Sequence, residues 1–164
     1  MTTQFTPHDA PWFEDFKVGQ VFTMPGTVMN ERDIVAFARQ WDPYPFHVDA
    51  EAAKHHPFGG LFSSGFQTLC LVFRQFADAG VLANCAYAGG GIDKLRWLKP
   101  VRPGDIIRST AEVLEIKPAA ARGDIGRVIM RHHAIDQHDD VVLTLQCIHV
   151  VKRRPPSSEK AAAG

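Results

Sequence analysis

The sequence predicts an α+β fold in which a curved antiparallel sheet of about five strands wraps around one long central helix. Three observations carry this expectation. Residues 64–79, "SGFQTLCLVFRQFADA", are apolar over more than one helical stripe, which calls for protein on most sides. The second half of the chain is a series of β-branched segments joined by short turns, as in consecutive antiparallel strands. No repeat and no long Gly/Ser linker divides the 164 residues, and a hydrophobic content of 45% is enough for one core. The expected domain is 13–151. Residues 1–12 lack periodicity, and residues 152–164, "KRRPPSSEKAAAG", combine charge with a double proline, so both ends are expected to be flexible.

Residues 20–28, "QVFTMPGTV", read as a first strand. Asn30 then offers a side-chain oxygen to the open N–H groups of a first helical turn, with Asp33 three residues on. Ile34, Phe37, Ala38 and Trp41 recur at helical spacing, and Pro43 ends the helix because it disfavours helical geometry at Asp42. The central helix starts near Ser64 and Gly65, runs to about Ala79 and stops at Gly80; at about 1.5 Å per residue it is roughly 24 Å long, enough to cross several strands. "AYAGGG", residues 86–91, is the longest punctuated stretch. Beyond it, "IDKLRWLKPV", "DIIRSTAEVLEIK", "DIGRVIMRHHAID" and "VVLTLQCIHVVKR" read as strands, separated by "RPGD", "PAAARGD" and "QHDD". Such short connections predict a meander.

Eighteen basic residues balance eighteen acidic ones, so no net field draws the chain to nucleic acid or to an anionic membrane. Cys70, Cys85 and Cys147 are odd in number, lie among apolar residues and show no CxxC pair, which fits small core residues in a reducing compartment. No basic segment precedes an apolar run at the start, and nowhere do eighteen apolar residues follow one another. A cytoplasmic protein is expected.

The chemical candidates lie in "WDPYPFHVD", residues 41–49. Asp42 and His47 stand five residues apart, and Pro43 and Pro45 lock two φ angles, so the segment leaves as a stiff turn that can aim both side chains at one point. The spacing by itself equally suits a turn Asp and a surface His. Seventeen residues beyond His47, "FGGLFSSGF" runs into the N-terminus of the central helix. Free N–H groups and the positive end of the helix dipole there suit an oxygen that becomes negative, and Gly65 lets a ligand approach the backbone. Ser64 and Gly65 alone also fit an ordinary helix cap. The order of acid, imidazole and glycine-led helix is the more specific signal.

With those residues in view, the chain resembles the MaoC-like dehydratases, the (R)-specific enoyl-CoA hydratase branch of the hotdog fold. The resemblance covers most of residues 12–152 and runs through "FEDFKVGQVF", "DIVAFARQWDPYPFHVDAEAA", "FGGLFSSG" and "LRWLKPVRPGD". It implies that Asp42 and His47 are the catalytic pair and that the Gly65 N–H faces a thioester carbonyl. It also implies reversible hydration of a trans-2-enoyl-CoA to a 3-hydroxyacyl-CoA, with the substrate carried as a CoA thioester and no cofactor. A homodimer joined sheet edge to sheet edge is implied as well. Tyr44 stands where the hydratase signature has Asn, Ser64 where it commonly has His, and Phe73 where some hydratases carry Ser. These departures imply a different acyl substrate or a weakened activity.

Ser64, Tyr44, Phe46 and Phe58 are expected around the substrate; for Trp41, Phe46 and Phe58, plain core packing is an equal reading. Arg96, Lys99 and Arg102 either meet the CoA phosphates or are solvated strand ends. His55, His56, His132 and His133 have no acid or thiol partner at metal spacing, and adjacent histidines in a strand point to opposite faces, so no metal site is expected. Two other functions share the resemblance: an acyl-CoA thioesterase and a non-catalytic acyl-CoA-binding protein.

Overall fold

The computed structural model describes residues 1–6, 8–119 and 122–156. Strand β1 (Val21–Val28) precedes helix α1 (Glu31–Trp41), two single turns α2 (Pro45–Val48) and α3 (Ala50–Ala53), and the central helix α4 (Gly65–Asp78). Strands β2 (Ala86–Trp97), β3 (Ile106–Pro118), β4 (Ile125–Ile135) and β5 (Val141–Lys152) complete one five-stranded sheet. Its order is β1-β3-β4-β5-β2, with every neighbouring pair antiparallel.

Only β3, β4 and β5 form the expected meander. The chain places β2 at the far edge beside β5, so β1 and β2 bound the sheet on opposite sides. Strand β2 also begins within the glycine stretch read as a break. Gly91 has φ of 140°, the pairing slips between Gly89 and Gly91, and a Cβ at Gly90 would lie 2.7 Å from Ile148 Cγ2. Glycine here permits a bulged edge strand lying close to β5 instead of a loop.

Period-two burial holds along β4, where Val128, Met130, His132 and Ala134 face inward. Ala111 and Val113 on β3 and Leu143, Leu145 and Cys147 on β5 share that concave face. Helix α4 lies against it through Thr68, Val72, Gln75 and Phe76. Removing each large aliphatic side chain from water contributes about 1.5–3 kcal/mol. Gln75 sets the helix on the sheet: its amide donates to Ile107 O at 2.8 Å, and its carbonyl accepts from Ser109 Oγ at 2.6 Å. Cover on α4 is less complete than its composition suggests. Phe66, Cys70 and Arg74 follow at four-residue spacing along an exposed stripe, so Cys70 is exposed and only Cys85 and Cys147 are buried.

The first residues, expected to be loose, are strapped to the domain. Thr3 N–H donates to Thr23 O at 2.6 Å, Phe5 N–H to Ala79 O at 2.9 Å, and the Phe5 ring packs edge-on against Phe22. At the other end, Arg153 pairs with Glu14 and Arg154 with Asp15. The rest of the expected C-terminal tail, 157–164, lies outside the described residues. No helix among the described residues is long and apolar enough to cross a membrane.

Candidate active site

Local chemistry brings Asp42 to its place first. Asn30 caps α1 as expected, its Oδ1 accepting from Asp33 N–H at 2.9 Å. Asp42 closes the same helix with φ of −155°, away from helical geometry, as the following proline requires. The two prolines then act differently. Pro43 ends α1, whereas Pro45 occupies the first position of α2, where a missing N–H costs nothing and the fixed φ suits a helix. That turn carries His47 back beneath the C-terminus of α1.

His47 is buried between two partners. Nδ1 lies 2.7 Å from Phe62 O, a carbonyl that only accepts, so Nδ1 carries a hydrogen and donates it. Nε2 faces Asp42 Oδ2 at 3.5 Å. Phe46 and Phe62 clamp the imidazole edge-on, with centroids 4.5 and 4.7 Å away. Their rings restrict it to the orientation that the carbonyl selects.

Ser64 links this pair to α4. Its hydroxyl donates to Asp42 Oδ2 at 2.6 Å and accepts from Phe66 N–H at 3.2 Å, so one side chain both caps the helix and holds the carboxylate. The following N–H, that of Gly65, opens the first turn of α4. Asp42, His47 and Gly65 line one cavity of about 360 Å³. Such a volume suits a small organic group with a few convergent polar atoms.

Of the residues expected around a substrate, Phe58 lines the cavity, but Ser64, Tyr44 and Phe46 do not. Ser64 is fully buried behind Asp42, where it positions the carboxylate. Tyr44 is exposed and stacks on Phe46, and Phe46 in turn stacks on Phe62, forming a layer behind His47. The walls are instead Phe62, Phe66, Thr68, Trp97, Leu98 and Val142. Sequence reading passed over these because they come from three separate elements whose pairing sets their convergence. Trp97 packs on the Cα side of Gly65, where a side chain would otherwise stand: a Cβ there would lie 2.6 Å from Trp97 Cε2.

Lys99 lines the cavity mouth and pairs with Asp140. Arg102 is a latch, not a free cation, with its guanidinium donating to Phe58 O and Leu61 O. Arg96 is exposed and bonds its neighbour's carbonyl at 2.7 Å. His132 faces the core and His133 the opposite side of β4, as the strand period requires.

The MaoC like domain, as a family profile, matches residues 15–133. The chain is similar to protein YdeM of Bacillus subtilis, at 30% identity over 85% of this chain and 98% of the relative. It is similar to the (R)-specific enoyl-CoA hydratase of Rhodospirillum rubrum, at 30% identity over 65% and 72%. Among solved structures it is similar to a MaoC-like dehydratase from Rhodospirillum rubrum, with a TM-score of 0.84 and 36% identity, covering 90% of this chain and all of that one. With its sheet curled around α4 in the hotdog arrangement, the chain belongs to the MaoC-like family of hydratases and dehydratases.

Proposed function

We propose that this protein hydrates a trans-2-enoyl thioester reversibly to a 3-hydroxyacyl thioester, with CoA as the carrier. The observation that carries this reading is Nε2 of His47 facing Asp42 Oδ2 across 3.5 Å inside the cavity that Gly65 also lines. A water held there gives one hydrogen to each group. As its oxygen adds to C3, His47 Nε2 takes the proton, and electrons move through C2 to the thioester oxygen.

Geometry assigns the proton to His47. The Ser64 hydroxyl already occupies Asp42 Oδ2, while Nε2 of His47 faces the cavity beside that carboxylate. His47 Nε2–H then returns its proton to C2, which restores the ring and completes the addition. The Gly65 N–H, at the positive end of α4, stabilises the oxygen in between. Acid–base steps alone balance the reaction, so the reading needs no cofactor.

A homodimer belongs to the same proposal. Among the described residues strand β2 pairs only with β5, and its other edge is open along a strand of twelve residues that includes the exposed Tyr87, Ile92 and Trp97. Open edges of that length are usually paired or covered. Sedimentation at micromolar concentration checks it; a monomer would refute it.

The test of activity follows loss of the conjugated thioester absorbance with crotonyl-CoA and with longer and branched enoyl-CoAs. Turnover in the wild type is expected, with Asp42→Asn and His47→Ala lower by about 10²–10⁴. Absence of turnover on every substrate would overturn the reading. Release of free thiol would assign a thioesterase, and tight binding without turnover a carrier of acyl-CoA.

A further inference from the structure

Trp97 ends β2 and lines the same cavity as Gly65. The closest atom to a Cβ built on Gly65 is the indole Nε1, followed by Cε2 at 2.6 Å and Cδ1 at 2.7 Å. On a helix the Cα–Cβ bond tilts toward the N-terminus. The indole nitrogen therefore stands at the end of α4 from which the first N–H groups project.

Covalent geometry separates the amide nitrogen and Cβ of one residue by roughly 2.5 Å, which places Nε1 within roughly 5 Å of the Gly65 nitrogen. An oxygen accepting from two donors at about 2.9 Å each can bridge nitrogens up to roughly 5.8 Å apart. We propose that the indole N–H of Trp97 is a second donor to the thioester oxygen, acting with the Gly65 N–H. This assignment rests on the hydratase reading of the cavity.

The chemistry of the group favours that role. Indole nitrogen donates only and carries no charge, so it answers charge that develops on an oxygen without drawing a carboxylate into the site. Phe66 meets the Trp97 ring edge-on at 5.6 Å and 71°, which sets the ring plane. Trp97 is 47% exposed, and no hydrogen bond among the described residues engages its N–H. Two other polar walls are engaged: the Ser63 hydroxyl lies 2.7 Å from Gln67 Oε1, and Lys99 pairs with Asp140. Two preorganised donors are also what a developing oxyanion requires, since each N–H supplies one hydrogen bond.

The experiment measures two quantities on the full chain. One is the carbonyl stretch of bound butanoyl-CoA labelled with ¹³C at the thioester; this ligand is saturated, so the signal needs binding but no hydration. The other is kcat with crotonyl-CoA. Trp97→Phe keeps a ring and removes the donor, and 3-benzothienylalanine at position 97 replaces N–H by sulfur in nearly the same shape, which covers the case in which phenylalanine disturbs the fold.

Wild type is expected to lower the carbonyl frequency. Both replacements are expected to move it back toward the free value and to reduce kcat about 10²-fold, with KM little changed. Wild-type frequency and kcat in the benzothienyl protein would overturn the assignment, even if Trp97→Ala is impaired, because the ring would then serve packing alone. A carbonyl shift lost in the replacements, in a protein that hydrates nothing, would uphold the Trp97 donor and refute the hydratase reading. If butanoyl-CoA does not bind wild type, kcat decides: an unchanged kcat in the benzothienyl protein overturns the assignment, and a fall of about 10²-fold upholds it.

Discussion

Two imidazole sites, one just before the N-terminus of α4 and one on the sheet beneath it, show how one fold gives two buried histidines different surroundings. His47 and His149 each line a cavity, but it is His47 that has a carbonyl on Nδ1 and a carboxylate beside Nε2. His132 and His149 have chiefly each other, with Nε2 atoms 3.2 Å apart, aromatic faces from Phe73 and Phe76, and Cys147 Sγ 3.9 Å from His149 Nδ1. Among the described residues His132 Nδ1 has no hydrogen-bond partner. Burial pushes His132 down to about 3, helped by the charges that His149 and His133 would carry, and burial alone pushes His149 down to about 4. An imidazole becomes a base through the groups that orient it and take its charge; depth of burial by itself only keeps it neutral.

The sharpest way to break this contrast is to remove each ring in turn. His47→Ala is expected to lower hydration by about 10²–10⁴, whereas His132→Leu should leave steady-state kinetics near wild type. Comparable losses in the two variants would mean that the pair on β4 and β5 takes part in the reaction.

Acid separates the sites next. The folded values of His132 and His149 lie below the ordinary 6.5, so the unfolded chain binds more protons between that value and about 3–4. Their contribution is intact above pH 6.5 and is lost as pH falls toward 4. Urea unfolding across that range should show stability falling with acid, and the double variant His132→Leu, His149→Leu should show a flatter curve. An unchanged slope would contradict the buried neutral pair.

A smaller effect is expected from Ser64→Ala. The loss of the cap costs about 1 kcal/mol of stability, read as a lower Tm. The freed Asp42 should also lower kcat, roughly tenfold if one hydrogen bond of about 1.4 kcal/mol is lost from the transition state. A lower Tm with unchanged kcat would leave Ser64 as a cap only.

The mildest test probes the region of His132 and His149 through the thiols. Burial raises Cys85 and Cys147 to about 11, while Cys70 is exposed. In native protein a disulfide reagent should therefore label Cys70 promptly and the other two only after unfolding. Prompt labelling of Cys147 would show that the histidine pair is open to solvent.

Much of the site was legible because it is local. The cap at Asn30, the stop before Pro43 and the Asp42-to-His47 interval each rest on contacts within a few residues, and β3, β4 and β5 declare their inward faces by period two. The roles of Tyr44, Phe46 and Ser64 were not legible. Whether an aromatic ring lines a cavity or backs a histidine depends on Phe62, fifteen residues beyond His47, and Ser64 reaches Asp42 across twenty-two residues.

The sequence by itself determined the element types, the central helix and the candidate pair, because backbone chemistry and hydrophobic period act over one or two turns of chain. Tertiary structure alone decided that β2 crosses to the far edge, that its glycines bulge rather than break it, and that Trp97 settles on Gly65. Those outcomes depend on which strand edges remain free once β3, β4 and β5 have paired. No local pattern encodes that, because a strand's periodicity reports which face is buried and not which neighbour it will meet.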